Sequence, residues 1–241
     1  MEVDNMSHKK TTAIVLAAGK GSRMQSDIPK QYMELKGYPV LYYSLKTFED
    51  SFVDEIILVC GETDISFCQK DIVEKYQLYK VKKIVAGGKE RYQSVQKGIQ
   101  AIENSDYVYI HDGARPFLTQ DILTRVQERV EKCNACVVGM PVKDTIKIAD
   151  GEGNIKDTPD RNYVWQIQTP QVFSYDLIKT AYEKLASFPE TNVTDDAMVV
   201  EKMLHYPVQL VMGSYENIKI TTPEDMKIGE LFCDLKKSLK K

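Results

Sequence analysis

Apolar and polar positions along the chain alternate between short apolar runs and stretches of helical period. The runs at 12–17 (TAIVLA), 55–60 (EIILVC), 81–86 (VKKIVA), 107–111 (YVYIH) and 136–140 (CVVGM) are rich in Val and Ile. That content suits strands covered on both faces. Helices are expected near 39–50, 64–77, 92–103 and 119–132. In the last of these Ile122, Leu123, Val126 and Val130 share one face, with Thr119 as N-cap. Further helices are expected near 174–187 and 195–205, a strand at 208–212, and a final helix from Pro223. Thr222, Pro223, Glu224 and Asp225 supply a cap, an N1 proline and early acids for that last helix. Its Lys-rich end (LKKSLKK) suits the negative end of the helix dipole.

Strand and helix in alternation predict right-handed βαβ crossovers and a mostly parallel, three-layer α/β sheet. No linker-like segment and no internal repeat divides the chain, so residues 11–241 read as one domain after a disordered lead-in at 1–10. The segment 140–158 breaks the rhythm, with two short alternating runs around ADGEGN (149–154). The Asp150-Gly151 step there is a hairpin signal. A hairpin inserted at about 140–160 would project as an arm, either a solvated loop or a grip on a partner.

Composition narrows the function without naming it. A hydrophobic share of 43% and a charged share of 28% are those of a soluble globular protein. The formal net charge of −3, from 32 Lys and Arg against 35 Asp and Glu, argues against nucleic acid as partner. The five cysteines are scattered, and the Cys133-x-x-Cys136 pair falls at a helix end rather than a helix start. That placement favours reduced thiols over a redox motif or zinc site. The longest apolar run is too short to span a bilayer, and the first ten residues lack a signal-peptide core. A cytoplasmic protein is expected.

Candidate chemistry gathers at predicted strand ends, where open α/β folds hold ligands. The first strand runs into LAAGKGSRMQSDIPKQ. Gly19-x-Gly21 is followed by Met24, so the third glycine of a dinucleotide fingerprint is missing, and no P-loop occurs. Arg23 and Lys30 lie downstream on a segment interrupted by Pro29. They suit a polyphosphate, although a structural turn with solvated charges has the same spacing. In GGKERYQSV (87–95), Arg91 and Ser94 can donate to an anion or a base. In HDGARPF (111–117), Asp112 can accept from a ribose hydroxyl or sit near Mg²⁺, and Arg115 can fork onto phosphate. His111 has no adjacent nucleophile and reads as structural. DRNYVWQIQTPQVF (160–173) offers Arg161 and Thr169 to phosphate, with Trp165 assigned to the core. TNVTDDA (191–197) places Thr194 as a helix cap, with Asp195 and Asp196 favouring the dipole or fixing substrate hydroxyls. NIKITTPED puts Lys219 on a short strand before the last helix. Arg23, Lys30, Arg91, Arg115, Arg161 and Lys219 are about the cations a nucleoside triphosphate and a second phosphorylated substrate would need.

Taken in order, LAAGKGSRM…PKQ, GGKERYQSV, HDGARP, PVKDTIK, WQIQTPQVF, TDDA and NIKITTPED resemble the cytidylyltransferases of non-mevalonate isoprenoid synthesis over about 11–235. The resemblance implies a Rossmann-like nucleotidyltransferase fold and the joining of CTP to 2-C-methyl-D-erythritol 4-phosphate. It also implies Mg²⁺ dependence and a homodimer whose arms clasp. Ala17, Ala18, Gly19 and Gly21 would wrap the nucleotide, and Arg23 and Lys30 would stabilise the transition state. Gly88 and Ser94 would lie at the cytosine, and Asp112 and Arg115, with Thr194 nearby, where ribose and substrate are held. Arg161 and Lys219 would position the methylerythritol phosphate, with Arg161 and Thr169 supplied by the partner's arm.

Two positions depart from the family pattern: Lys89, where some members carry an acid, and Gly113, where Ala is usual. Ribitol-5-phosphate cytidylyltransferases are the nearest alternative. Their first loop tends toward AGGxGxRM and their fourth motif toward YQGQTPQ, against LAAGKGSRM and VWQIQTPQ here. A non-catalytic nucleotide-binding protein on the same fold is a further alternative, one that Arg23, Lys30 and Lys219 argue against.

Overall fold

The computed structural model describes residues 8–19, 28–188 and 192–238. In chain order the strands are β1 Thr11–Ala17, β2 Glu34–Leu35, β3 Tyr38–Pro39, β4 Glu55–Cys60, β5 Val81–Ala86, β6 Tyr107–Asp112, β7 Ala135–Pro141, β8 Ile148–Ala149, β9 Ile155–Asp157, β10 Trp165–Ser174 and β11 Gln209–Met212. The helices are α1 Val40–Glu49, α2 Ile65–Phe67 continuing as π turns through Cys68–Glu74, α3 Arg91–Gln100, α4 Gln120–Cys133, α5 Tyr175–Leu185, α6 Asp196–Leu204 and α7 Pro223–Ser238. Apart from a short strand expected at Lys219, each predicted strand and helix forms within a few residues of its expected bounds.

Seven strands make the main sheet in the order β11-β7-β10-β6-β1-β4-β5. β1 pairs parallel with β4 and β6, and β10 runs antiparallel between β6 and β7. The three-layer expectation follows from β1 itself. Ala13, Val15 and Ala17 face a core built with Leu41 and Phe48 of α1 and Ile122 and Val126 of α4. Ile14 faces the opposite core, built with Val95 of α3, Ile178 of α5 and Val200 of α6. This period-2 alternation places helices on both faces of the sheet.

Four sequence expectations need correction. β10 is a ten-residue strand where the sequence predicted none. Pro170 falls where the β10–β7 register shifts, between Ile167 and Gln171, a place where the ladder does not need its missing N–H. Trp165 is half-buried at the end of β10 rather than in the core. Lys219 lies on an extended segment outside any strand, tied back by the Ile220 N–H to the Ala114 carbonyl at 2.8 Å. Thr194 is exposed and does not cap α6, because Asp195 does so, accepting the Met198 N–H at 3.0 Å.

The caps at Thr119 and Thr222 form as expected. Thr119 accepts the Ile122 N–H, and Asp225 accepts the N–H groups of Thr221 and Thr222. Cys133 ends α4 and Cys136 lies in β7, and none of the five cysteines is in a disulfide. The hairpin forms as β8 and β9, antiparallel and exposed. Its turn is set by Asp150, whose Oδ1 accepts the Glu152 and Asn154 N–H groups, both at 2.9 Å. The positive φ of +90° falls at Gly153, not Gly151. The turn is therefore a longer, Asp-organised loop rather than a two-residue one.

Candidate active site

The carboxyl ends of β1 and β6, the turn after β5 and the segment around Lys219 border a cleft with about 650 Å³ of empty volume. Ala17, Ala18, Gly19, Lys30, Gly88, Ser94, Asp112 and Lys219 line it, together with Gln31, Glu90 and Arg91. Most of the positions expected at the nucleotide therefore converge on one place. Gly21 and Arg23 lie outside the described residues.

Two turns shape the nucleotide end. Gln31, buried at the end of the PKQ segment, donates from Nε2 to the carbonyls of Ala17 at 2.6 Å and Gly19 at 3.1 Å. It fixes the end of β1 and carries Lys30 beside it on the turn Lys30–Tyr32. The second turn runs from Gly87 to Glu90. Ser94 Oγ accepts the Gly88 N–H at 3.0 Å and donates to the Glu90 carbonyl at 3.3 Å. Gln93 Oε1 accepts the Lys89 and Glu90 N–H groups, so α3 begins with a reciprocal capping box. Gly87 allows the two turns to meet: a Cβ there would overlap the Ala18 side chain and stand 2.8 Å from Ser94 Oγ. Lys89 points its backbone into this network and leaves its side chain exposed.

Asp112 ends β6 at the cleft floor. Its Oδ2 accepts from Lys219 Nζ at 2.7 Å, and its Oδ1 accepts from Arg91 Nε at 3.3 Å. Burial alone would raise the Asp112 carboxyl. Arg91, Lys219 and Arg115 outweigh it and hold the group well below the usual carboxylate range. Arg91 was expected to donate to an anion or a base; instead its fork closes on Asp196. Burial works against the Arg91 charge, but Asp196 and Asp112 hold it firmly protonated. Arg115 is largely buried and donates from Nη1 to the Asn217 carbonyl at 2.8 Å, while its Nε has no hydrogen-bond partner among the described residues. Burial lowers its pKa, with Asp112 offsetting part of the effect.

Thr169 is not on the arm. It is buried in β10, where Oγ1 accepts the Asp112 N–H at 3.0 Å and lies 3.0 Å from His111 Nδ1. The Arg115 carbonyl, 3.2 Å from Nε2, can only accept, so His111 carries its proton on Nε2. In the neutral ring Nδ1 then accepts from the Thr169 hydroxyl. Burial pushes the imidazole pKa down to about 4, so at neutral pH His111 is an uncharged strut, as its sequence context indicated. Arg161, on the exposed turn Arg161–Tyr163, is not among the residues lining the cleft, and its Nη1 reaches the Lys143 carbonyl at 3.5 Å. Thr194 is likewise outside the lining.

Sequence reasoning missed Gln31 and Gln171. Gln171 Oε1 accepts the backbone N–H groups of Asp196 and Ala197, at 3.0 and 2.9 Å. Both glutamines stood inside quoted motifs, but a glutamine has no spacing signature of its own.

The family model described as 2-C-methyl-D-erythritol 4-phosphate cytidylyltransferase matches residues 11–234. A protein of that name from Lachnospira eligens is 55% identical over 226 residues, covering 92% of this chain and 98% of the relative. Another from Lachnoclostridium phytofermentans is 52% identical over 222 residues, covering 92% and 95%. Among solved structures, the 4-diphosphocytidyl-2C-methyl-D-erythritol synthase of Anaerococcus prevotii superposes with a TM-score of 0.82 at 37% identity, covering 94% of this chain and 96% of that one. The cleft, its two glycine turns and the charged floor are therefore parts of a recognised enzyme scaffold, and the chain belongs to the 2-C-methyl-D-erythritol 4-phosphate cytidylyltransferase family.

Proposed function

We propose that the chain joins CTP to 2-C-methyl-D-erythritol 4-phosphate, giving 4-diphosphocytidyl-2-C-methyl-D-erythritol and pyrophosphate. The observation that carries the reading is the convergence of both glycine turns with Lys30, Asp112 and Lys219 on one cleft. In the reaction a phosphate oxygen of the second substrate attacks the α-phosphorus of CTP in line, and pyrophosphate leaves with the electrons of the broken P–O bond. Both reactants are anions, so catalysis is mainly charge screening and positioning. Lys30, with Arg23 on the adjoining segment, meets the charge that develops at the α-phosphate. A phosphate monoester is largely ionised at neutral pH and needs no strong base, which agrees with a neutral, fully engaged His111.

Ala17, Ala18, Gly19 and Gly21 wrap the nucleotide, while Gly88 and Ser94 form the wall at the base. Ser94 acts there by shaping the turn, since its hydroxyl is already engaged with Gly88 and Glu90. Asp112 faces the ribose, and Lys219 and Arg115 serve the second substrate's phosphate. Thr169 contributes by holding Asp112.

A divalent cation such as Mg²⁺ fits this floor. Among the described residues no group of three or more His, Cys, Asp or Glu side chains is placed to hold a metal ion by itself. Mg²⁺, however, is commonly held by one or two carboxylates plus substrate phosphates, and Asp112 is an ionised carboxylate in the cleft. Asp112 would hold the ion, whose chemistry when bound is to screen the triphosphate charge.

No helix among the described residues is long and apolar enough to cross a membrane. The exposed β8–β9 hairpin supports a homodimer clasped through this arm, with Arg161 serving the other copy's cleft. The test is pyrophosphate release from CTP, comparing 2-C-methyl-D-erythritol 4-phosphate with ribitol 5-phosphate. Preferred turnover of ribitol phosphate, or no release with either, refutes the assignment.

A further inference from the structure

The floor of the cleft holds an ion-pair network whose inner member never reaches the cleft. Arg91 leaves the first turn of α3, directly after the Gly87–Glu90 turn. Its Nη1 and Nη2 donate to the two oxygens of Asp196 at 3.0 and 2.8 Å, and its Nε donates to Asp112 Oδ1 at 3.3 Å. Asp196, the first residue of α6, is completely buried. Its Oδ1 also accepts the Tyr182 hydroxyl at 2.6 Å, and its backbone N–H is held by Gln171.

A guanidinium is planar, and a carboxylate gripping both terminal nitrogens fixes that plane. Once the plane is fixed, the direction of the Nε–H is fixed too, and that bond meets Asp112. Lys219 holds the other Asp112 oxygen, and Thr169 holds its amide. A buried ionic group is weak evidence of stabilisation, because apolar residues of similar volume often serve as well. What this network supplies is a defined orientation.

We propose that Asp196 is a positioning residue: acting through Arg91, it sets the orientation of the Asp112 carboxylate in the nucleotide site. The same chain of contacts ties α6, behind the floor, to α3 and the base-side turn. The proposal rests on the reading of the cleft as a CTP site. It gives Asp196, in the TDDA motif, a role other than touching substrate hydroxyls.

The test is a double-mutant cycle on CTP affinity, measured by calorimetry on the full chain for the wild type, Asp196→Asn, Asp112→Asn and the double variant. Residues acting through one another give non-additive losses, whereas a merely structural role gives the same loss in either background. Asp196→Asn is expected to weaken CTP binding about tenfold in the wild-type background and less than twofold once Asp112 is Asn. Equal losses in both backgrounds, or no loss in the first, overturn the proposal. Tyr182→Phe removes one hydrogen bond to the same carboxylate and decides the matter if Asp196→Asn does not fold. It is expected to weaken binding about two- to threefold with the same non-additivity, and additive or absent losses again overturn the proposal. A wild-type chain that does not bind CTP overturns the reading of the cleft itself, an outcome distinct from additive losses on a chain that does.

Discussion

Gln171, in the middle of the sheet, caps Asp196, the first residue of α6: its side-chain carbonyl accepts the Asp196 N–H at 3.0 Å. It takes the Ala197 N–H as well, and its amide donates to Asp195 Oδ2 at 2.9 Å. One neutral side chain thus satisfies two orphan donors of the helix start and steadies its N-cap. Gln171→Leu, similar in volume, leaves two buried N–H groups without that acceptor. Such groups cost about 1–3 kcal/mol each, so a loss on the order of 2–6 kcal/mol is expected in urea unfolding. A midpoint unchanged from the wild type would show that the contact carries no stability.

The same residue explains why part of the fold was illegible in the sequence. Strands such as 55–60 announce themselves through Val and Ile, and their order predicted the layers. β10 reads WQIQTPQVFS, with three glutamines and a proline, and matches neither the apolar run nor the alternating pattern. Its polar residues are long-range fasteners. Gln168 donates to the Ser214 carbonyl and accepts from Asn217, Thr169 holds Asp112, and Gln171 holds α6. Partners 25 to 57 residues away leave no local periodicity. The site divides in the same way. Motif order predicted that Gly88, Ser94, Asp112 and Lys219 would gather, and they line one cleft. The sequence could not say that Arg91 and Thr169 would be turned inward, because that depends on what Asp196 and His111 offer them.

Lys30 sits on the short turn Lys30–Tyr32 at the cleft, next to the Gln31 side chain that grips the end of β1. Its backbone is therefore held independently of its ammonium. Lys30→Ala should keep the melting temperature and most CTP affinity. Turnover should fall by about 10²–10³-fold, as when one preorganised donor to a transition-state oxyanion is removed. Single-turnover kinetics with saturating CTP separate the chemical step from binding. Near-normal turnover would sink the role given to Lys30.

Gly87 stands where the turn after β5 crosses the end of β1. Its N–H donates to the Cys60 carbonyl at 2.8 Å, so the turn cannot simply move outward without breaking that bond. In Gly87→Ala the new methyl group presses on Ala18 and on Ser94 Oγ, 2.8 Å away, parting the two walls of the nucleotide site. KM for CTP is expected to rise about tenfold or more, with a smaller change in the KM of the second substrate. Equal rises for both substrates would show that the damage is general rather than confined to the nucleotide wall.

The arm supplies the last prediction. A two-stranded hairpin is marginal in water by itself, yet Ile148 and Ile155 stand 49% and 65% exposed on it, and Tyr163 beside it is 85% exposed. Side chains of this kind on one short element are what the proposed clasp would cover. In a symmetric pair the same patch serves both copies, so one substitution acts twice. Ile155→Asp should shift sedimentation from dimer to monomer at micromolar concentration while leaving each chain folded. CTP affinity should persist, because the nucleotide walls come from a single chain. Turnover should fall with the dimer if Arg161, outside its own cleft, serves the other copy's substrate. A monomer with full turnover would confine Arg161 to a structural part, and a wild type that sediments as a monomer would remove the clasp altogether.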